Sequence, residues 1–376
     1  MHIGLNLIYL VPGETGGTET YARELISALV RQRPDLRLTA FINLETARAV
    51  PGPWSELIGS VTVPVRVRRR IEWVRGEQQL LPGLARAAGV DVVHSLANTG
   101  PARGAFRRIV TIQDLIHRFY PEAHFGLRSA GMRLLVPLAA KRSSRVIVPS
   151  EATRDDVVRL LRVPASKIDV VPLAVDPPPP AYGDADGDIR TRYALGSRQL
   201  VVAASAKRPH KNLLRLLDAL ALIPSERRPA LVLPGYPTPH EEELRQRAEE
   251  VGVSADVRFV GWIPRDELDA LYRAAACFVF PSLYEGFGLP VLEAMARGVP
   301  VACSDRGAIA EVAGDAARAF DPESARAIAA AIESILGNPR EAERLRAAGY
   351  ERARKFTWSD TARLTLESYD RALGSA

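Results

Sequence analysis

A chain of 376 residues with 47% hydrophobic content is long enough to bury more than one core, and at roughly 150 residues per domain two domains are expected. Its 50 Lys and Arg against 44 Asp and Glu leave a net +6, too modest to mark a nucleic-acid binder and equally suited to anionic small molecules or an anionic membrane surface. Apolar runs are short and broken by charge, the first residues carry neither a basic leader nor a cleavage site, and Cys277 and Cys303 sit in apolar strand-like segments, so a membrane span, a secretory leader, a disulfide framework and redox chemistry are not expected and a soluble, cytoplasmic protein is.

In chain order, short β-branched runs alternate with helical patterns, which predicts an α/β fold built on parallel sheets. His2 to Tyr9 reads as the first strand, followed by a helix from near Thr18 in which Tyr21, Leu25, Ile26, Leu29 and Val30 recur at helical spacing. Further strands are expected at Leu38 to Ile42, Asp91 to His94, Arg108 to Ile112, Val146 to Val148 and Asp169 to Val171. The arginines between Arg66 and Arg75 form the densest basic group, read as a solvated face or as a contact for an acceptor or lipid headgroup. Asp176 to Asp188, with four consecutive prolines at Pro177 to Pro180, breaks the pattern as a linker.

A second α/β series then runs through Leu200 to Ala204, Ala230 to Leu233, Val257 to Val260, Cys277 to Phe280 and Val299 to Cys303. Glu341 to Leu373 reads as two helices broken near Phe356 to Ser359. The expected organisation is a first domain over 1–175, a linker over 176–190, a second domain over 191–356 and a terminal helix over 357–376 that crosses back to the first domain.

The chemistry-bearing residues lie where strands hand over to helices. After Cys277 to Phe280 comes Glu285-Gly286-Phe287-Gly288-Leu289-Pro290 and a helical run. Proline is tolerated at a helix start, and amides at Phe287, Gly288 and Leu289 would favour a phosphate there. Glu285 and Glu293 flank this anion site; Glu293 could accept a ribose diol and Glu285 a sugar hydroxyl, or Glu293 could simply be a favourable first-turn acid. After Leu200 to Ala204, the segment Ser205-Ala-Lys-Arg208-Pro-His210-Lys211-Asn212 brings two cations that could neutralise a departing diphosphate without a metal. Gly16 and Gly17, after the first strand, could present another helix N-terminus to the same phosphates. Together these predict a diphosphate held in a cleft between two domains. His94 is read either as lining that cleft or as a buried, hydrogen-bonded histidine.

These motifs resemble glycosyltransferase family 4, the retaining enzymes of two Rossmann-like domains called GT-B. Glu285 to Glu293 is similar to the family's Glu-x7-Glu motif, Arg208-Pro-His-Lys-Asn212 to its Arg-x-x-Lys-Asn phosphate motif, and Gly16-Gly-Thr-Glu-Thr-Tyr21 to its glycine loop. Asp114-Leu-Ile-His117, Val148-Pro-Ser150 and Val171-Pro-Leu-Ala-Val-Asp176 extend the match over most of the chain. The resemblance implies that Arg208 and Lys211 meet the donor diphosphate, Glu293 the ribose and Glu285 the transferred sugar, with Ser205 and Gly286 to Leu289 also among the donor-binding residues. Main-chain groups around Gly261 to Ile263 would lie near the base, where Trp262 could stack. Neither metal nor cofactor is implied, the nucleotide sugar being a substrate, and the Asp-x-Asp triplets over Asp184 to Asp188 are read as linker rather than metal ligands.

One departure stands out. Where related enzymes often carry a His-Asp pair after the strand Arg108 to Ile112, this chain has Gln113-Asp114, with His117 close behind. Glutamine can hydrogen-bond a sugar hydroxyl but cannot titrate near neutral pH, so Gln113, Asp114 and His117 are all candidates for the catalytic site. The segment Val110 to Glu122 most resembles mannosyltransferases of bacterial polysaccharide assembly, which makes GDP-mannose the first expected donor, ahead of UDP- and dTDP-sugars. The expected acceptor is a glycan or lipid-linked glycan, with Trp73, Arg75 and Phe119 to Arg133 as candidate contacts and a peripheral stance at the inner membrane face as an option. A sugar-nucleotide epimerase or glycan phosphorylase of similar fold, and a non-catalytic binding protein, are the competing readings.

Overall fold

The strands form where apolar runs can be buried on both faces. In the computed structural model, which describes residues 1–120, 127–177 and 185–374, the first unit comprises Met1–Leu173 and Thr357–Ala376. Its strands are β1 (His2–Leu7), β2 (Arg37–Ile42), β3 (Gly59–Thr62), β4 (Val92–Ser95), β5 (Arg107–Thr111), β6 (Arg145–Val148) and β7 (Ile168–Val170), ordered β3-β2-β1-β4-β5-β6-β7. All neighbours pair in parallel. Every residue of β1 and β4 is buried, as a parallel sheet covered by helices on both faces requires.

The second unit, Ala174–Phe356, repeats the plan with β8 (Leu200–Val202), β9 (Ala230–Leu233), β10 (Val257–Phe259), β11 (Cys277–Phe280), β12 (Val301–Ser304) and β13 (Arg318–Phe320), ordered β10-β9-β8-β11-β12-β13 and again parallel. Both units are Rossmann-like, the pair of sheets that characterises GT-B. In each, the winding reverses next to its first strand, between β1 and β4 and between β8 and β11. Loops leaving the carboxyl ends of those two strands diverge to opposite faces, and the crevice they leave is where open α/β sheets bind ligands.

Sequence periodicity misses β3 and β13. Both are short, largely exposed edge strands, Gly-Ser-Val-Thr and Arg-Ala-Phe, so they carry no sustained apolar run. The expected linker is also too long. A helix over Ala185–Arg192 occupies its second part and packs on the helix Arg265–Ala274, with Arg192 3.1 Å from Glu267. Pro178 to Asp184 lie outside the described residues, as do the side chains of Asp186 and Asp188 and, in the expected acceptor segment, residues 121–126.

The chain returns to the first unit through its last helix. The helix Pro339–Ala353 stops, Thr357 accepts the Asp360 amide as an N-cap, and Trp358–Leu373 packs on Gly17–Gln32. Buried hydroxyls fix the docking: Thr361 donates to the Pro172 carbonyl at 2.8 Å and Ser368 to Asp169 at 2.7 Å. No described helix is long and apolar enough to cross a membrane.

Candidate functional site

The crevice between β8 and β11 gathers the second-unit candidates. Two loops meet there, one after β8 ending in the turn Pro209–Lys211, the other after β11 leading into the helix Leu289–Ala296. Main-chain and amide bonds lock them together: the Leu283 amide donates to the His210 carbonyl at 2.8 Å, and Asn212 Nδ2 to the carbonyls of Pro281 at 3.1 Å and Pro322 at 2.7 Å. Asn212 manages this from a left-handed conformation, φ 58°, which asparagine tolerates better than most residues.

On this frame Lys211 Nζ lies 2.5 Å from Glu285 Oε1, with the two side chains only 15% and 12% exposed. Ser282 Oγ, fully buried, also lies 2.6 Å from that carboxylate oxygen. A residue read as a diphosphate cation and one read as a sugar-hydroxyl acceptor are therefore direct partners, 74 positions apart in sequence. Arg208, half-buried beside them, makes neither hydrogen bond nor ion pair through its guanidinium among the described residues.

Helix geometry beyond Glu285 follows the glycines. Gly288 caps Leu289–Ala296 at φ 119°, and Pro290 occupies the second helical position rather than the first. Gly286 and Phe287 lie in the turn before it. One turn in, the Glu293 carboxyl is pushed up by burial, an effect opposed by Arg265, whose guanidinium stands 3.9 Å away. A carboxyl so placed gains from hydrogen-bond donors that stabilise its charge.

The same edge continues to the loops after β9 and β10. Trp262 is 59% exposed and stacks on Tyr236 at 6.5 Å with an interplanar angle of 27°; it is a surface platform and not part of the core. Ile263 beside it is half-buried. Sequence reading missed what holds this edge together. Lys207 is completely buried and donates to the carbonyls of Gly235 and Val260, both at 2.7 Å, with Glu241 3.6 Å away. One ammonium thus ties three successive loops, and Ser205 adds a main-chain bond to Pro234 at 3.0 Å. Gly235 cannot be replaced, since a Cβ there would lie 2.0 Å from the Ser205 carbonyl oxygen. The sequence signal for this tie is a lysine in the loop that follows β8.

In the first unit, Gly16 caps the helix Gly17–Gln32 at φ 58°, and a Cβ on either Gly16 or Gly17 would meet nothing within 4 Å. The loop is open, and its first-turn acid is engaged, Glu19 accepting the Gly13 amide at 2.7 Å and pairing with Arg23 at 2.9 Å. After β5, Gln113 donates its side-chain amide to the Leu96 carbonyl at 3.2 Å and its main-chain N–H to Asn98 Oδ1 at 2.7 Å, so it joins the loops after β4 and β5. Asp114 accepts the Ile116 amide at 3.0 Å, at the start of the short helix Ile116–Phe119 that carries the buried His117.

His94 is the buried, hydrogen-bonded histidine of the two readings offered for it. It bridges Thr111 Oγ1 at 2.8 Å and the Tyr369 hydroxyl at 2.9 Å, and burial brings its pKa down to about 3. Close to the carboxyl ends of β1 and β4, Glu77 receives hydrogen bonds from Asn6 and Thr99, each 3.0 Å, and from Gln78 at 3.2 Å; burial pushes its carboxyl up to about 7. Among the described residues no group of three or more His, Cys, Asp or Glu could hold a metal, and both cysteines are buried free thiols.

Comparison with known proteins assigns the family. Residues 15–178 match the profile "Glycosyltransferase Family 4" and residues 188–352 match "Glycosyl transferases group 1". An O-antigen chain mannosyltransferase B of Escherichia coli is 32% identical over 70% of this chain and 70% of its own length. The chain belongs to glycosyltransferase family 4. An MMP alpha-(1->4)-mannosyltransferase of Mycolicibacterium hassiacum is 33% identical over 62% of this chain, the match spanning 56% of that protein. In fold, the chain is similar to a sucrose-phosphate synthase of Thermosynechococcus elongatus, TM-score 0.80 at 21% identity with both chains fully covered. A glycosyltransferase of Rickettsia africae superposes with TM-score 0.75 at 15% identity, over 100% of this chain and 99% of its own. Within the family match, the segment 188–352 contains both loops of the β8–β11 crevice, and 15–178 begins at the glycine loop.

Proposed function

We propose that this family member transfers a hexose, mannose first among candidates, from a nucleoside diphosphate sugar to a hydroxyl of a glycan or lipid-linked acceptor, with retained anomeric configuration and without a metal. The observation that carries the reading is the Lys211–Glu285 pair at the β8–β11 crevice, with Arg208 beside it and Glu293 one helical turn beyond Gly288. Support for mannose comes from relatives named as mannosyltransferases.

On this reading the donor exchanges partners with the ion pair. Lys211 turns from Glu285 to the diphosphate, and Glu285 is released to accept a sugar hydroxyl while Ser282 keeps it in place. Arg208 adds a second cation, so negative charge developing on the leaving diphosphate meets fixed positive groups in a partly desolvated crevice. Glu293 accepts the ribose diol, and the base lies along Trp262. The acceptor lies on the first unit, and the protein works in the cytoplasm, at the membrane when its acceptor is lipid-linked.

Thermal-shift titrations with GDP, UDP and dTDP test the donor, because a ligand that binds only the folded state raises its melting temperature. GDP is expected to give the largest shift. Transfer from GDP-mannose, followed by determination of the product anomer, tests the reaction. Conversion of the nucleotide sugar without acceptor, or strict dependence on inorganic phosphate, would replace it by epimerisation or phosphorolysis.

A further inference from the structure

The basic segment of the first unit borders a concave site. Residues 66–75 hold five arginines against one glutamate, and with the helix Leu44–Arg48 they line a pocket of about 350 Å3 formed by Leu44, Glu45, Arg48, Arg66, Arg68 and Arg69. The pocket is built on a rigid frame. Asn43, fully buried, caps the helix through the Thr46 amide at 2.8 Å and donates to the carbonyls of Ile8 and Leu10 at 2.8 and 2.6 Å. Glu45 is turned to the main chain, accepting the amides of Val67 at 3.1 Å and Arg68 at 3.4 Å, and thereby holds the arginine segment against the helix.

Ion pairing of the pocket is incomplete. Arg69 pairs with Glu72 at 3.0 Å and Arg68 with Glu14 of the glycine loop, whereas the guanidinium groups of Arg48 and Arg66 make neither hydrogen bond nor ion pair among the described residues. Two of the four lining arginines are thus left without an acid partner, and an anion with several oxygens supplies one while accepting forked hydrogen bonds. The Arg68–Glu14 pair also sets the pocket beside the glycine loop, at the carboxyl edge of β1 and β2.

We propose that this pocket is a binding site for a phosphate ester, carried by the acceptor itself or by an anionic lipid headgroup. This rests on the glycosyl-transfer reading, since it places the phosphate on the unit assigned to the acceptor. The test uses the full chain carrying Arg208→Ala and Lys211→Ala, so that the second-unit cations do not compete for the probe. Binding of inorganic pyrophosphate is measured by calorimetry, and binding to phosphatidylcholine vesicles with or without phosphatidylglycerol by sedimentation.

Adding Arg48→Gln and Arg66→Gln is expected to weaken binding by roughly tenfold or more, with an unchanged melting temperature because neither side chain holds another residue. A second pair, Arg66→Gln with Arg69→Gln, guards against a local folding defect. Loss confined to pyrophosphate assigns the phosphate to the acceptor; loss confined to phosphatidylglycerol vesicles assigns it to the bilayer. Parent protein that binds neither probe, or glutamine variants that bind as well as the parent, would overturn the proposal. Absence of donor hydrolysis and transfer in the wild-type chain would instead refute the glycosyl-transfer reading and leave the binding result standing.

Discussion

Two buried groups of the first unit titrate in opposite senses, and their removal should expose opposite pH dependences of stability. Burial holds the Glu77 carboxyl at about 7 against an ordinary 4.5, and the His94 imidazole at about 3 against an ordinary 6.5. Between pH 4.5 and 6.5 folded Glu77 keeps a proton that the unfolded chain has lost, so its contribution to stability falls as pH rises. Over the same interval unfolded His94 is protonated while the folded form is not, so its contribution rises with pH. Each slope is about 1.4 kcal/mol per pH unit, and in the wild type the two offset. Glu77→Gln should leave the His94 slope uncovered, so that stability relative to wild type gains about 2 kcal/mol from pH 4.5 to 6.5, where both slopes flatten toward the ends; His94→Gln should lose a similar amount over the same interval. Glu77→Gln also forfeits the Gln78 bond, a pH-independent cost of about 1 kcal/mol. Equilibrium urea unfolding of the three proteins across that interval reads the differences directly, since other titrating groups are common to all. Two flat difference curves, or two of the same sign, would refute the assignment of these burial effects.

Lys211→Ala and Arg208→Ala should each lower kcat by about two to three orders of magnitude, the effect of removing a fixed donor from developing charge, with circular dichroism unchanged; near-normal turnover in both would end their assignment. Lys207→Met should destabilise the second unit by about 3 kcal/mol, because two part-buried carbonyls lose charge-assisted bonds, and should abolish the nucleotide-induced thermal shift; an intact shift would show that the three loops hold without it. Trp262→Ala should weaken nucleotide binding by roughly tenfold through lost stacking and leave the melting temperature of the protein alone unchanged, since the ring is largely exposed; unaltered nucleotide affinity would place the base elsewhere.

How much was legible in the sequence depended on whether a feature is local. The Glu285 to Glu293 stretch could be read because its glycines, its proline and the following helix are set by neighbouring residues, and Gly288 and Leu289 stand where a helix begins. The family resemblance drawn from those motifs agrees with the profile matches. Long-range consequences were hidden: that Lys211 pairs with Glu285 follows only from β8 and β11 being neighbours, and that Lys207 closes three loops follows from β8, β9 and β10 lying side by side. Edge strands β3 and β13 were missed because an exposed edge needs no apolar run. His94 was ambiguous because its partner Tyr369 lies 275 residues away on the returning helix.

The repeated strand order also separates two kinds of chemistry. Each unit offers a crevice beside its first strand, yet the two crevices are furnished differently. Around β8 and β11 the side chains are cations with carboxylates within reach, Lys211 and Arg208 with Glu285, a set suited to phosphates and hydroxyls together. Around β1 and β4 they are Asn6, Ser95 and Thr99 about the Glu77 carboxyl that burial pushes up to about 7, a polar set whose hydrogen bonds among the described residues involve no cation. The first unit's unmatched arginines lie instead one ion pair beyond its glycine loop, through Arg68 and Glu14. On the transfer reaction proposed above, the donor's charge is met in the second unit by Lys211 and Arg208, and the phosphate proposed for Arg48 and Arg66 is held to one side of the first unit's own crevice.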